Sequence, residues 1–258
     1  MTDVRLAGFV GRDARPREYA KLAVRRLLYK RRLDLVSDPL PVRVTTMLRH
    51  FGLDTVLDVG ANIGQYASAL RASGFSGTIV SCEPLSDAFE HLRRRSAADE
   101  SWTAVRTAVG TEPGTLAINV SANSFSSSLL PMTSAHSDAA PGSEFVRTES
   151  VPVTTVADIV REHGVDPTRA LLKIDTQGYE PQVLDGAGDL VGRFGAIALE
   201  LSFVPLYAGQ ELFGDLVNRM QDAGYSLYGV EGGFSDPRSG RMLQCDGVFV
   251  SGDLAVKR

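Results

Sequence analysis

The chain has 258 residues, of which 43% are hydrophobic and 22% are charged, and its formal net charge is −4. That length suits one α/β domain with a large core and a short extension, and the composition is that of an ordinary globular protein. The sequence lacks both an apolar run long enough to cross a bilayer and the apolar core of a signal peptide, so we expect a cytoplasmic protein.

Charge is distributed unevenly along the chain. Residues 1–35 carry ten Lys and Arg against four Asp and Glu, which leaves a net charge of −10 on the remainder. An acidic body is a poor electrostatic match for nucleic acid, so we expect no nucleic-acid partner. Residues 17–35 combine basic side chains with apolar positions at helical spacing, which predicts a helix that docks on the domain or contacts an anionic membrane. The prolines at 39 and 41 would end a basic helical extension, 1–41, ahead of a domain spanning 42–258.

The most informative stretch is VLDVGANIG, residues 56–64. A short apolar strand enters a glycine turn and then a predicted helix from Gln65 to Arg71, an arrangement in which backbone N–H groups can meet a nucleotide-like ligand. The dinucleotide fingerprint would require glycine at positions 62 and 65, where Asn62 and Gln65 stand. Glu83 follows the next apolar run, and a carboxylate there can accept both hydroxyls of a ribose. This combination resembles the arrangement in S-adenosylmethionine (SAM) methyltransferases.

Apolar runs and helical patterns alternate after this turn, which predicts a parallel sheet with helices on both faces. Ser86 is the expected N-cap of a helix reaching Arg95. The sequence TEPG after Gly110 predicts a hairpin of residues 108–110 and 115–120, and the Ser-rich stretch that follows it is long enough to be a lid or a disordered loop. Further signals predict strands over 148–153, 171–175, 196–203, 225–230 and 245–250, and helices over 156–163, capped by Thr154 or Thr155, and 211–223. The last two strands must pair antiparallel, as in the sheet of class I methyltransferases.

Acidic side chains stand at four predicted strand ends, where open α/β sheets bind their ligands: Asp58, Glu83, Asp175 and Glu200. Lys173 and Asp175 project to the same side of one strand, either as a structural ion pair or as part of a reactive site. Asp175 is the first candidate for a general base, and Glu200 is the second.

Several other side chains offer alternatives for this site. His136 could be the base, although a single loop histidine is more often plain surface. Asp175, Glu200 and Asp246 could instead hold Mg²⁺. Asn123 and the serines at 126–128 could bind sugar hydroxyls, and Phe203 and Tyr207 could pack against a sugar face or in the core. Cys82 and Cys245 look like small core residues.

Four segments together resemble the FkbM family of SAM-dependent O-methyltransferases: VLDVGANIGQY, the Glu83-Pro84 strand end, NSFSSSLL and KIDTQGYEPQVLDGA. The resemblance runs from about residue 42 to 249 and implies a Rossmann-like class I methyltransferase fold. It also implies methyl transfer to a hydroxyl of a sugar, on a glycolipid or another natural product.

By this resemblance the cofactor-binding residues are Asp58, Gly60, Ala61, Asn62, Gly64, Gln65, Tyr66, Glu83, Pro84 and Asp175. Asp175, Glu180 and Glu200 match charged positions of the family motifs. Two alternatives stay open: an NAD-dependent oxidoreductase or epimerase, and a non-catalytic subunit that keeps the SAM fold. The oxidoreductase would need a Tyr-x-x-x-Lys pair, but Tyr179 and Tyr207 are followed by Val183 and Glu211 four residues later.

Overall fold

The structure is a computed structural model that describes residues 39–123 and 125–255. From Leu40 onwards these residues belong to one compact unit. The predicted basic helix at 17–35, and with it the membrane contact, lies outside the described residues. No helix in the described part of the chain has the length and apolar character that a bilayer span needs.

The main sheet has seven strands, which are β1 (Thr55–Val59), β2 (Thr78–Cys82), β3 (Trp102–Val105), β7 (Ala170–Ile174), β8 (Ala196–Ser202), β9 (Tyr225–Gly232) and β10 (Gln244–Ser251). Their order across the sheet is β3-β2-β1-β7-β8-β10-β9. The first five in this order are parallel, whereas β10 runs antiparallel to both β8 and β9. The predicted class I methyltransferase sheet with its terminal antiparallel pair is thereby confirmed.

Helices cover both faces of the sheet, and each face has its own apolar core. The described helices are α1 (Leu40–Phe51), α2 (Gln65–Ala72), α3 (Ser86–Ser96), α4 (Ser134–Ala139), α5 (Val156–Glu162), α6 (Glu180–Asp185), α7 (Phe213–Asp222) and α8 (Gly252–Ala255). Strand β7 is buried along its whole length, as expected for a central parallel strand.

Helix α1 is an element that the sequence analysis did not assign. Pro41 lies in its first turn, where a missing N–H costs little. Val44, Met47 and Leu48 recur at helical spacing and are buried in one of the two cores. The segment that was expected only to end the basic extension therefore also begins the domain.

Two helix starts were predicted from Ser and Thr caps. Thr155 is the N-cap of α5, and its side chain accepts a hydrogen bond from the Asp158 N–H. Ser86 is not a cap, because it is already the first residue of α3 and Leu85 occupies the cap position. The Glu149 carboxylate accepts the hydrogen bond of the Ser86 N–H instead, at 2.9 Å.

A second sheet of three strands is inserted after β3. It consists of β4 (Ala108–Val109), β5 (Gly114–Ser121) and β6 (Phe145–Thr154) in the order β4-β6-β5. The hairpin expected between the first two of these strands does not form, because each pairs with a different edge of β6. The TEPG turn is a local signal, whereas β6, which lies between β4 and β5 in the sheet, begins some thirty residues further along the chain.

The Ser-rich stretch between β5 and β6 is more ordered than its composition suggests. It contains α4, and its residue Ser128 forms a bridge to Asn119 of β5. The Ser128 hydroxyl donates to the Gln177 carbonyl oxygen at 2.7 Å, which ties this segment to the loop after β7. This hydrogen bond holds one wall of the site described next in place.

Candidate active site

A cavity of about 250 Å³ opens at the carboxyl ends of β1, β2 and β7. The cavity brings together six of the residues predicted to bind a cofactor: Gly60, Asn62, Gln65, Glu83, Pro84 and Asp175. The candidate base Glu200 lines the same space, next to Thr176, Gln177 and Tyr179. Asp58, Ala61, Gly64, Tyr66, Lys173 and His136 are not among the residues that line it.

The turn after β1 depends on glycine for two separate reasons. Gly60 has φ +77°, and a Cβ at this position would lie 1.8 Å from the Asp175 carbonyl oxygen. Gly64 has φ +82°, and a Cβ there would meet Leu92 and Trp102 at 2.9–3.0 Å. Gly60 therefore permits the close approach of β1 and β7 at the cavity, whereas Gly64 permits the packing of α2.

Glu83 joins the ends of β1 and β2. Its Oε2 accepts from the Asn62 N–H at 2.8 Å, and its Oε1 accepts from the Leu85 N–H at 2.9 Å. Burial raises the pKa of Glu83 to about 7, although the two N–H groups oppose that shift. Each carboxylate oxygen has a further lone pair, so Glu83 can accept hydrogen bonds from a ligand without giving up those of the turn.

Asp58 and Lys173 form an ion pair beneath the cavity. Asp58 is 0% exposed, and its Oδ1 lies 3.0 Å from the Lys173 ammonium. The register of the sheet causes this contact, because Asp58 is paired with Ser81 on β2 and with Lys173 on β7. Asp58 is not among the residues that line the cavity, and its contact with a ligand stays a prediction.

The Lys173 ammonium reaches two further groups that border the cavity. It lies 3.4 Å from Asp175 Oδ2 and donates to the Gly60 carbonyl oxygen at 3.2 Å. Burial alone would lower the pKa of Lys173, but the carboxylates of Asp58 and Asp175 raise it above its usual value. The lysine is thus a buried cation that supports Asp175 from behind.

The side chain of Gln177 joins the two candidate bases. Its Nε2 donates to Asp175 Oδ1 at 3.0 Å and to Glu200 Oε2 at 2.9 Å. The Tyr207 hydroxyl donates to Gln177 Oε1 at 2.9 Å and so fixes the orientation of the amide. Gln177 has φ +56°, a conformation that is uncommon for residues other than glycine and that concentrates at functional sites.

Sequence reasoning missed Gln177. The available signal was its place between two acidic strand ends, immediately before Gly178 in a tight turn.

Burial raises the pKa of Glu200 well above its usual value, and the charges of Asp175, Glu180 and Asp246 add to the effect. A carboxyl group with a raised pKa beside Asp175 gives this end of the cavity two groups able to exchange a proton.

The methyltransferase FkbM domain model matches residues 58–227. The chain belongs to the FkbM methyltransferase family. This match covers the glycine turn, the end of β2, the Ser-rich segment and the loop after β7. It makes the protein a SAM-dependent methyltransferase, and the oxidoreductase alternative finds no support.

Solved methyltransferase structures resemble this FkbM-family chain at low sequence identity. Fibrillarin of Aeropyrum pernix with bound SAM is 13% identical, with a TM-score of 0.42 over 77% of this chain and 66% of that one. Magnesium protoporphyrin IX methyltransferase of Synechocystis with bound SAM is 12% identical, with a TM-score of 0.44 over 82% and 77% of the two chains. Precorrin-6y C5,15-methyltransferase of Geobacter metallireducens is 13% identical, with a TM-score of 0.42 over 84% and 90%. No curated protein sequence matches the chain.

The cavity of this FkbM protein fits the cofactor of the family. Glu83, beside Gly60 and Asn62 in the lining, offers carboxylate lone pairs suited to the hydroxyls of a ribose, and Leu85 and Val109 add an apolar surface suited to an adenine ring. Magnesium is a different case. Among the residues that the structure describes, no three or more His, Cys, Asp or Glu side chains are placed to hold a metal ion, so the alternative magnesium site finds no support.

Glu180 holds the loop after β7 in the FkbM domain. Its Oε1 accepts hydrogen bonds from the N–H groups of Thr176 and Gly178 at 2.9 and 3.2 Å. The Glu180 side chain is buried and does not line the cavity. Burial raises the pKa of Glu180 to about 7, and a proton on Oε2 would leave the hydrogen bonds to Oε1 in place. Its role is to shape the loop that carries Gln177.

The raised pKa of Glu180 predicts a pH effect on stability. The folded state binds a proton that the unfolded chain has released, so this contribution is complete below the ordinary pKa of 4.5 and is lost as the pH rises through about 7. Glu180→Gln mimics the neutral form, so between pH 5 and 8 the variant should lose less free energy of unfolding than wild type, by roughly 2 kcal/mol. Urea denaturation at both pH values measures this difference. Glu162→Gln, on the exposed end of α5, is the control, and equal losses in wild type and Glu180→Gln would contradict the prediction.

The remaining candidates lie away from the reacting end of the cavity. His136 is buried in α4, where its Nδ1 lies 3.2 Å from the Ser143 hydroxyl and its ring packs against Tyr207 and Phe234. Burial lowers the pKa of His136. It is therefore neither a surface residue nor in contact with the cavity. Phe203 stacks on Phe213 with ring centroids 5.0 Å apart and does not line the cavity either.

Two predicted groups have mainly structural positions. Asn123 and Ser126 hydrogen-bond each other, and Ser128 is buried against the loop after β7, so only Ser127 of this set lines the cavity. Cys82 and Cys245 are both buried free thiols, as expected for small core residues.

Proposed function

We propose that this methyltransferase transfers the methyl group of SAM to a hydroxyl of a sugar, with Asp175 as the general base. The observation that carries the proposal is the carboxyl pair of Asp175 and Glu200. Both groups are bridged by the Gln177 amide, and they line the same cavity as the turn residues Gly60 and Glu83. A proton acceptor and a cofactor cradle thus share one space.

The chemistry of O-methylation fits these groups. When bound, SAM supplies a methyl group that its sulfonium already activates, so the protein chiefly has to align the acceptor and exclude water. A sugar hydroxyl is a weak acid and needs a base to take its proton as the new bond forms. Asp175 lines the cavity beside the turn residue Gly60, which supports it as the base, and the Lys173 ammonium lies 3.4 Å from its Oδ2.

Glu200 is the second candidate in this proposal. Its raised pKa suits a group that receives the proton from Asp175 or holds it until the product leaves. The acceptor would lie between these carboxyls and the wall of Ser127 and Thr176, whose hydroxyls can bind further sugar oxygens. The polar character of this end of the cavity supports a polyhydroxylated acceptor.

Isothermal titration with SAM and with NAD tests the cofactor, and transfer of isotope-labelled methyl from SAM to glycosides tests the reaction. We expect binding of SAM but not of NAD, and a product whose mass increases by one methyl group at a sugar oxygen. Binding of SAM without transfer to any glycoside would contradict the sugar acceptor, and transfer to an amine or a carbon would contradict O-methylation.

A further inference from the structure

The charge of the cavity restricts which acceptors can enter it. Its described lining includes the carboxyl groups of Glu83, Asp175 and Glu200, and no Lys, Arg or His side chain. The nearest buried cation, Lys173, is already paired with Asp58 and Asp175 behind the wall. Phosphate recognition in proteins depends on Arg, Lys or a cradle of free N–H groups. The two N–H groups bound to Glu83 are already in use at this site.

An aromatic ring stands at the mouth of the same cavity. Phe125 lines it, and 57% of the residue is exposed, compared with 38% of Phe203. The ring sits on a segment fixed by hydrogen bonds, since the Ser126 N–H donates to Asn123 Oδ1 at 3.0 Å and Ser128 is bonded to the loop after β7. Leu129 and Ile118 continue the apolar wall beside it.

These two observations describe a surface suited to a neutral sugar ring. One face of such a ring consists of C–H groups, which pack against an aromatic side chain, while its hydroxyls need polar partners. Phe125 supplies the aromatic face, and Ser127 and Gln177 add polar groups to the same lining. A phosphate on the acceptor would find no Lys, Arg or His side chain in the described lining to pair with it, and this lack of a cation discriminates against it.

We infer that the acceptor is an uncharged glycoside whose C–H face packs on Phe125, and that sugar phosphates and nucleotide-linked sugars are rejected. This inference rests on the proposed function, because it names the chemical class of sugar that the same site accepts. It makes Phe125 a specificity-determining residue, and it makes the lack of cationic side chains in the described lining the reason that anionic acceptors are rejected.

Matched acceptors test the charge rule. The probes are methyl glycosides of hexoses and 6-deoxyhexoses, together with the 1-phosphates and nucleoside diphosphate esters of the same sugars, each incubated with the full chain and SAM. We expect kcat/KM for the neutral member of each reactive pair to exceed that of its phosphate by about tenfold or more. Equal or faster methylation of the phosphate forms would overturn the inference and leave the proposed function intact. Absence of transfer to every sugar, with SAM binding retained, would overturn the proposed function and the inference with it.

Phe125 is tested by substitution. Phe125→Ala should raise KM for the reactive methyl glycoside about five- to tenfold and change kcat little, because the ring contributes packing and no chemistry. Phe125→Tyr should restore KM, and the Kd for SAM should be the same in all forms. Phe203→Ala removes another exposed ring, 38% exposed and outside the cavity, and should leave KM unchanged. An unchanged KM in Phe125→Ala, or equal increases in both alanine variants, would overturn the assignment of Phe125.

Discussion

Asp175→Asn is expected to lower kcat by roughly 10²–10⁴-fold, which is the usual contribution of general base catalysis. The amide cannot accept a proton at neutral pH, but it keeps the shape of the side chain and can still accept the hydrogen bond from Gln177. The Lys173 ammonium keeps its partner Asp58, so the fold should persist. Methyl transfer under saturating SAM and acceptor measures kcat, and calorimetric titration should give a Kd for SAM close to that of wild type.

A neighbouring carboxylate provides the control for this experiment. Asp246 faces Glu200 across β10 and β8 but does not line the cavity. Asp246→Asn should therefore retain most of the turnover, which separates the loss of a base from a general change in local charge. Near-normal turnover in Asp175→Asn would remove Asp175 from the mechanism. A large loss in Glu200→Gln alone would assign the base to Glu200 instead.

Gly60→Ala is expected to destabilise the protein by about 4 kcal/mol or more, an effect that single substitutions reach only through an identifiable mechanism. Two costs combine here. A residue with a Cβ is strained at φ +77°, and that Cβ would lie 1.8 Å from the Asp175 carbonyl oxygen. Relief would require β1 and β7 to separate at the site itself, so SAM binding should be lost as well. Urea denaturation measures the first effect, and titration of any folded variant measures the second.

A second glycine provides a control that separates backbone strain from steric overlap. Gly209 has φ +76°, and a Cβ there would meet nothing within 4 Å. Gly209→Ala should therefore cost only the conformational strain, about 1–2 kcal/mol. The excess cost in Gly60→Ala then measures the contact with the Asp175 backbone. Equal costs at the two positions would show that no such contact limits the turn.

The central part of the fold could be read from the sequence because its signals are local. Apolar runs, glycine turns and helical spacing identified β1, β2, β7, β8 and the final strand pair. Signals of this kind also placed the acidic strand ends at one edge of a parallel sheet, and the cavity indeed collects Glu83, Asp175 and Glu200.

The features of the fold and site that could not be predicted depend on pairing between segments distant in the sequence. The partner of β4 and β5 is β6, and the TEPG turn carries no information about that strand. The position of Asp58 depends on the register that places it between Ser81 and Lys173, and a one-residue shift would have turned the side chain to the other face. Gln177 acquires its role only when Glu200 and Tyr207 arrive from other elements.

The Lys173 ammonium contacts both the turn proposed to bind the methyl donor and the proposed base. It donates to the carbonyl oxygen of Gly60, in that turn, and contacts the carboxylate of Asp175, the proposed base. Because this ammonium is also paired with Asp58, three partners fix its position, and it holds the turn after β1 and the end of β7 together.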